Sequence, residues 1–173
     1  MSQRPILPYV LGIAGLIPFV FLGGTILFAN IMCDPYEGRR YFSVPGGLAP
    51  FLIGYAVVIL SFLGGTRWGA EIQRAPQKPD AAILCLSMLP PLIGWATLPI
   101  TMIQLRLDYI LFTLACALLV QGAWDVFAVR KGRLPSWYAN LRIILTLVAV
   151  ISLLVPGHVH LIINDFVYCA ARR

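Results

Sequence analysis

LAPFLIGYAVVILSFLGGTRW, residues 48–68, carries one charged side chain, Arg67, in a run that is otherwise apolar or small. A helix needs about 20 apolar residues to cross the hydrocarbon core of a bilayer, and this stretch is that long. Its apolar residues are continuous rather than alternating, which disfavours a strand of a membrane barrel. Four further runs have the same character, at 6–31, 81–103, 107–129 and 137–155. Turn or charge signals bound them: CDPYEGRR and VPGG, then QRAPQKPD, QLRLD, RKGRLP and PGH. The expected fold is an all-α membrane protein, one transmembrane domain over 1–173 built as a bundle of about five helices.

Composition agrees. Of the 173 residues, 60% are hydrophobic and 12% charged, against roughly 45–50% and 25% in soluble domains. Mean hydropathy is +0.85. A soluble fold of this length has too little interior to hide so much apolar surface. The net charge of +6 is spread between apolar runs rather than gathered on one face. It is therefore a topology signal and a source of contacts with anionic lipid, and nucleic acid is not an expected partner. The first apolar run is far longer than the 7–15 residues of a signal-peptide core, so it is expected to stay as a span. No Arg-rich, Ser-rich transit segment precedes it, which favours a bacterial inner (cytoplasmic) membrane over the mitochondrial inner membrane.

Lysine and arginine set the expected orientation. Arg4, Arg67, Arg74, Lys78, Arg130, Lys131, Arg133 and Arg142 fall on one side; Arg39, Arg40, Arg106, Arg172 and Arg173 fall on the other. The richer side is expected in the cytoplasm, with the N-terminus inside and the C-terminus outside. Glycines 12, 15, 23 and 24 in the first span and 54, 64, 65 and 69 in the second suit close helix packing, with Gly65 and Gly69 at GxxxG spacing. Pro18 and Pro90-Pro91 mark bends, static or moving, each removing a backbone donor and freeing a carbonyl four residues earlier.

The candidate site is a polar cluster at the inner ends of the spans. Arg67 and Glu71 are four residues apart and can pair on one helix face. Asp125 lies about one turn before the end of the fourth span, below Gln121, and Arg142 about one turn inside the fifth. Ionisable groups at such depth face the protein interior and pair. The two acids and two arginines sum to zero, as a structural lock between helix ends requires. The alternative is a pocket for a headgroup, an anion or a partner's charged residue. Trp68 and Trp137 lie at the same level. At the other end, His158 and His160 have a spacing that suits metal only in an extended chain, and further ligands are needed; no metal or cofactor is expected. Cys33 and Cys169 fall on the same, outer side, where a disulfide is permitted. No nucleophile elbow, metalloprotease helix, phosphate loop or CxxC pair occurs, so no catalytic residue is assigned.

LGIAGLIPF at 11–19, LSFLGGTRWG at 60–69, Asp125, and LPSWYANLRIILT at 134–146 together resemble the domain-of-unknown-function 3429 family of small polytopic proteins. A group of mitochondrial transmembrane proteins of eukaryotes is similar. The resemblance covers essentially the whole chain and implies a five-helix membrane domain with no assigned activity. Trp68, Asp125, Trp137 and Arg142 are the cluster residues within the segments that carry it. The expected role is a non-catalytic accessory or assembly component of a membrane complex, or a homo-oligomer. The alternative is a binder or transporter of a lipid, quinone or anion at the inner cluster.

Overall fold

The computed structural model describes residues 5–32, 47–102 and 107–170, with side chains at 5–29, 47–99 and 108–158. Six helices carry these residues: α1 Ile6–Ala14, α2 Ile17–Met32, α3 Leu48–Arg74, α4 Ala81–Met102, α5 Leu107–Arg130 and α6 Ser136–Ala170. Five spans are long and apolar enough to cross a membrane, with α1 and α2 forming one of them.

The break between α1 and α2 follows from Pro18. Its ring clashes with the carbonyl of Ala14 and offers no N–H to it. The chain tightens at that point, with Leu16 N–H bonding the Ile13 carbonyl at 2.9 Å. The Gly15 carbonyl takes a hydrogen bond from the Tyr55 hydroxyl of α3 at 2.7 Å. The bend thus sits one turn before the proline, and a neighbouring helix satisfies the opened backbone, as lipid requires.

α2, α3, α5 and α6 form a four-helix ring, and α4 sits outside it against α3 and α5. Phe19 and Ile26 of α2, Leu52 and Leu60 of α3, Leu111 and Leu114 of α5 and Leu153 of α6 fill its centre, all nearly inaccessible. The outward surface is as apolar as the inside, with Phe21, Phe51, Phe62, Trp95 and Val120 largely exposed. Lipid covers such a surface, so burial of apolar area does not drive the helices together; close packing and interhelical polar contacts do.

The fifth span, expected to end near residue 155, lies within a longer helix: α6 runs on through Pro156 to Ala170. A proline removes one hydrogen bond and can be accommodated where a neighbour covers the carbonyl it frees. Here that carbonyl belongs to Ser152, and Gly23 of α2 lies directly on it; a Cβ at position 23 would be 2.6 Å from the Ser152 oxygen. The same device joins α3 to α4. Pro90 and Pro91 deny the Ser87 carbonyl both its i+3 and i+4 donors, and a Cβ at Gly64 would be 2.5 Å from that oxygen. Only a residue without a side chain lets the helices approach this closely.

Cys33 lies outside the described residues, and the Cys169 side chain does too. The Cys33–Cys169 bridge therefore falls outside what is described, as does His160 beyond its place on α6.

Gly64→Ala and Gly23→Ala should each lower stability in detergent by about 1–3 kcal/mol through overpacking. Gly65→Ala, with nothing within 4 Å of the added Cβ, should raise it by up to about 1 kcal/mol. Thermal unfolding of the three variants checks the contrast; equal shifts at positions 64 and 65 would remove the glycine–carbonyl account.

Candidate functional site

The site begins at the turn between α5 and α6. Gly132 adopts φ +70°, its N–H bonds the Val129 carbonyl at 2.9 Å, and the Arg133 N–H reaches back to the Ala128 carbonyl at 2.9 Å. This pair of bonds is the Schellman closure, which needs a left-handed residue and favours glycine there. Pro135 then starts α6 at once, so the two helices run back side by side. Asp125, before the turn, and Arg142, after it, come to the same level.

The Arg142 Nε donates to Asp125 Oδ2 at 2.6 Å. From the other side, α3 brings the Arg67 Nε to 3.6 Å from Asp125 Oδ1, an ionic contact beyond hydrogen-bond length. Gln121, one turn above, offers its Nε2 to the same oxygen at 3.5 Å. The Arg67 guanidinium carbon stands 4.5 Å from the Trp124 ring centroid, so the indole face supplies part of the compensation that a second carboxylate would give. All three charged side chains are buried, Asp125 at 1% exposure. The Arg67 Nε and the Thr146 hydroxyl are buried without a hydrogen-bond partner.

Glu71 does not take part in this group. Arg74 engages it with two hydrogen bonds, Nε to Oε2 at 2.9 Å and a terminal nitrogen to Oε1 at 2.6 Å. The Asp80 N–H also bonds Oε1 at 2.9 Å. The acid thus fastens the α3–α4 turn, and the expected Arg67–Glu71 pair is replaced by Glu71–Arg74. The interior group is therefore two arginines around one carboxylate, with a formal surplus of one positive charge rather than zero. Trp68 faces outward at 38% exposure. Trp137 ties α1 to α6: its carbonyl accepts from the Tyr9 hydroxyl at 3.0 Å, and its ring packs on Tyr9 and Tyr138. Trp124 and Thr146 join the site without having been expected there. The signals were their places beside Asp125 and four residues after Arg142. Among the described residues no group of three or more His, Cys, Asp or Glu stands close enough to hold a metal.

A family model described as a protein of unknown function, DUF3429, matches residues 4–156. The chain belongs to the DUF3429 family. The match includes every residue of the inner cluster. This DUF3429 chain is 38% identical over 162 residues to Transmembrane protein 69 of Xenopus tropicalis, covering 91% of this chain and 54% of that protein. It is 33% identical over 155 residues to Transmembrane protein 69 of Mus musculus, covering 89% of this chain and 60% of that protein. The chain thus spans little more than half the length of the curated relatives it matches. No solved structure matches. The helices and the relatives together make it a multi-pass membrane protein.

Removing one member of a buried ion group leaves the other uncompensated, at a cost of about 3–5 kcal/mol. Asp125→Asn should show that loss in thermal unfolding in detergent. Glu71→Gln, whose partner Arg74 is 44% exposed, should lose only about 1–2 kcal/mol. The double variant Asp125→Asn, Arg142→Gln should recover part of the first loss. An equal effect of the two single variants would mean that both acids serve one network.

Proposed function

We propose that this DUF3429 chain is a non-catalytic accessory or assembly component of a larger membrane complex, held against its partner by the outer face of α3. The observation that carries this reading is the contrast between neighbouring glycines. Gly23, Gly64 and Gly122 each meet another helix more closely than a methyl group would allow, whereas Gly65 and Gly69 meet nothing within 4 Å. Glycine inside a helix costs about 1 kcal/mol relative to alanine, and among the described residues no contact offsets that at 65 and 69. Their GxxxG spacing suits the backbone of a second membrane helix approaching from outside. Arg67, between them in sequence, points inward and is held by Asp125, so the same turns of α3 are fixed on one side and bare on the other.

The proposed setting is a bacterial inner membrane with the N-terminus in the cytoplasm. Its support is the basic end of the bundle, where Arg74, Lys78, Arg130, Lys131 and Arg133 surround the two turns next to the cluster. Cytoplasmic loops carry that excess of positive charge.

The test is purification of the tagged full chain from native membranes in mild detergent, beside the variant Gly65→Leu, Gly69→Leu. A stoichiometric partner protein should accompany the unaltered chain and be lost from the variant, while the melting temperature of the variant alone stays within a few degrees. Recovery of the unaltered chain by itself, as monomer or homo-oligomer, would sink the reading.

A further inference from the structure

A second feature lies on the other side of the cluster from the α3 face. A cavity of about 460 Å³ opens between α5 and α6, within the range of small-molecule sites, about 300–1,000 Å³. Its wall is apolar along Leu119 and Leu147 toward the middle of the span, and Phe127, Arg130, Arg142 and Thr146 line it nearer the inner end. Arg130 is exposed at the basic end of the bundle, while Arg142 is buried. The cavity is thus amphipathic along its length, cationic at headgroup depth and apolar toward the middle of the span.

Thr146 gives the cavity a donor with nothing to bind. In a membrane helix a threonine or serine hydroxyl ordinarily bonds a carbonyl of its own preceding turn. Thr25, Ser61, Thr66 and Thr113 all do so here, each to the residue four before, at 2.7 to 2.9 Å. Thr146, 8% exposed, has no partner at all. Its hydroxyl stands instead against Gly122, where a Cβ would come within 2.5 Å of it. Gly122 therefore keeps open the position that the hydroxyl occupies. A buried hydroxyl without a partner is unfavourable, and a turn of the side chain from Gly122 toward a ligand oxygen in the cavity would satisfy it.

Charge points to the kind of oxygen. Asp125 is the one carboxylate facing two buried arginines, Arg67 and Arg142, and Glu71 is taken by Arg74. Two arginines thus share one carboxylate inside the helix ends, with the Trp124 ring as the other neighbour of Arg67, next to a cavity with a further arginine at its mouth. Arginine is the residue suited to phosphate, through its fork of donors.

We propose that the α5–α6 cavity binds an anionic phospholipid, with the phosphate between Arg130, Arg142 and the Thr146 hydroxyl and an acyl chain against Leu119 and Leu147. The lipid neutralises the surplus charge of the Arg67–Asp125–Arg142 group and supplies the missing acceptor to Thr146. Binding needs no contact with the α3 face, so this site and the proposed docking face stand or fall separately.

The full chain is placed in nanodiscs of phosphatidylcholine containing increasing phosphatidylglycerol, then extracted, and the retained lipid is counted by native mass spectrometry. Phosphatidylglycerol should be retained over phosphatidylcholine. Thr146→Val, which keeps the side-chain shape, and Arg130→Gln, on the exposed mouth, should each weaken that retention about tenfold, as expected for loss of one hydrogen bond to a charged group. In discs of phosphatidylcholine alone, Thr146→Val should melt higher than the unaltered chain, because its buried hydroxyl no longer lacks a partner. Equal retention of the two lipids, or unchanged retention in both variants, would overturn the proposal. Displacement of the lipid by millimolar inorganic phosphate would overturn it too, identifying a free-anion site in place of a lipid site.

Discussion

Asp125 is the one carboxylate on which the inner half of the bundle depends. It sits on α5, the helix that touches α3, α4 and α6, and it takes an arginine from α3 on one side and from α6 on the other. Where lipid is the surrounding solvent, apolar contact gives little preference for one helix rotation over another. An ionised group supplies that preference, because turning any of the three helices away would expose a charge to hydrocarbon. The tight Gly132 closure brings Arg142 to Asp125 with few residues between them. The ion group then fixes the roll of α3, and with it which of its glycines look inward.

The glycines answer a second constraint, that of the backbone. Three spans carry proline away from their first turn, and there Pro18, Pro91 and Pro156 each leave a carbonyl without its helical donor. The Tyr55 hydroxyl answers the opening at Gly15. Gly64 and Gly23 lie on the carbonyls of Ser87 and Ser152. A side chain at either glycine would hold the helices apart and leave the oxygen facing hydrocarbon. Bend and contact are therefore one feature: proline on one helix specifies glycine on its neighbour.

Much of this was legible in the sequence. Hydropathy and length gave the five spans, because the distinction between lipid and water is read directly from side-chain polarity. Depth was legible too, and it placed Arg67, Asp125 and Arg142 at one level. What escaped is rotation about each helix axis. Gly64 and Gly65 are adjacent, yet one is wedged against Ser87 and the other is bare. Glu71 had two basic neighbours on its own helix, at i−4 and i+3, and the fold of the α3–α4 turn, through the Asp80 N–H, selected Arg74. Trp124 was not expected at the site because Arg67, which it meets across the bundle, belongs to another span. The continuation of α6 beyond its span was not legible because Pro156-Gly157 is a stop signal in water, whereas here Gly23 covers the carbonyl that the proline frees.

The contact between Gly23 and Ser152 joins the first span to the last. Spans enter a membrane in the order in which the ribosome makes them. α3 and α4 can clasp as soon as Pro91 has emerged, and α5 meets α6 across a turn of a few residues. α2 can meet α3 early, with Phe19 on Tyr55, but its Gly23 face must wait for Ser152, more than a hundred residues downstream. Closure of the ring thus has to follow the synthesis of α6. A nascent chain arrested before α6 leaves α2 in lipid with its glycine face uncovered, as a natural substrate for membrane quality control.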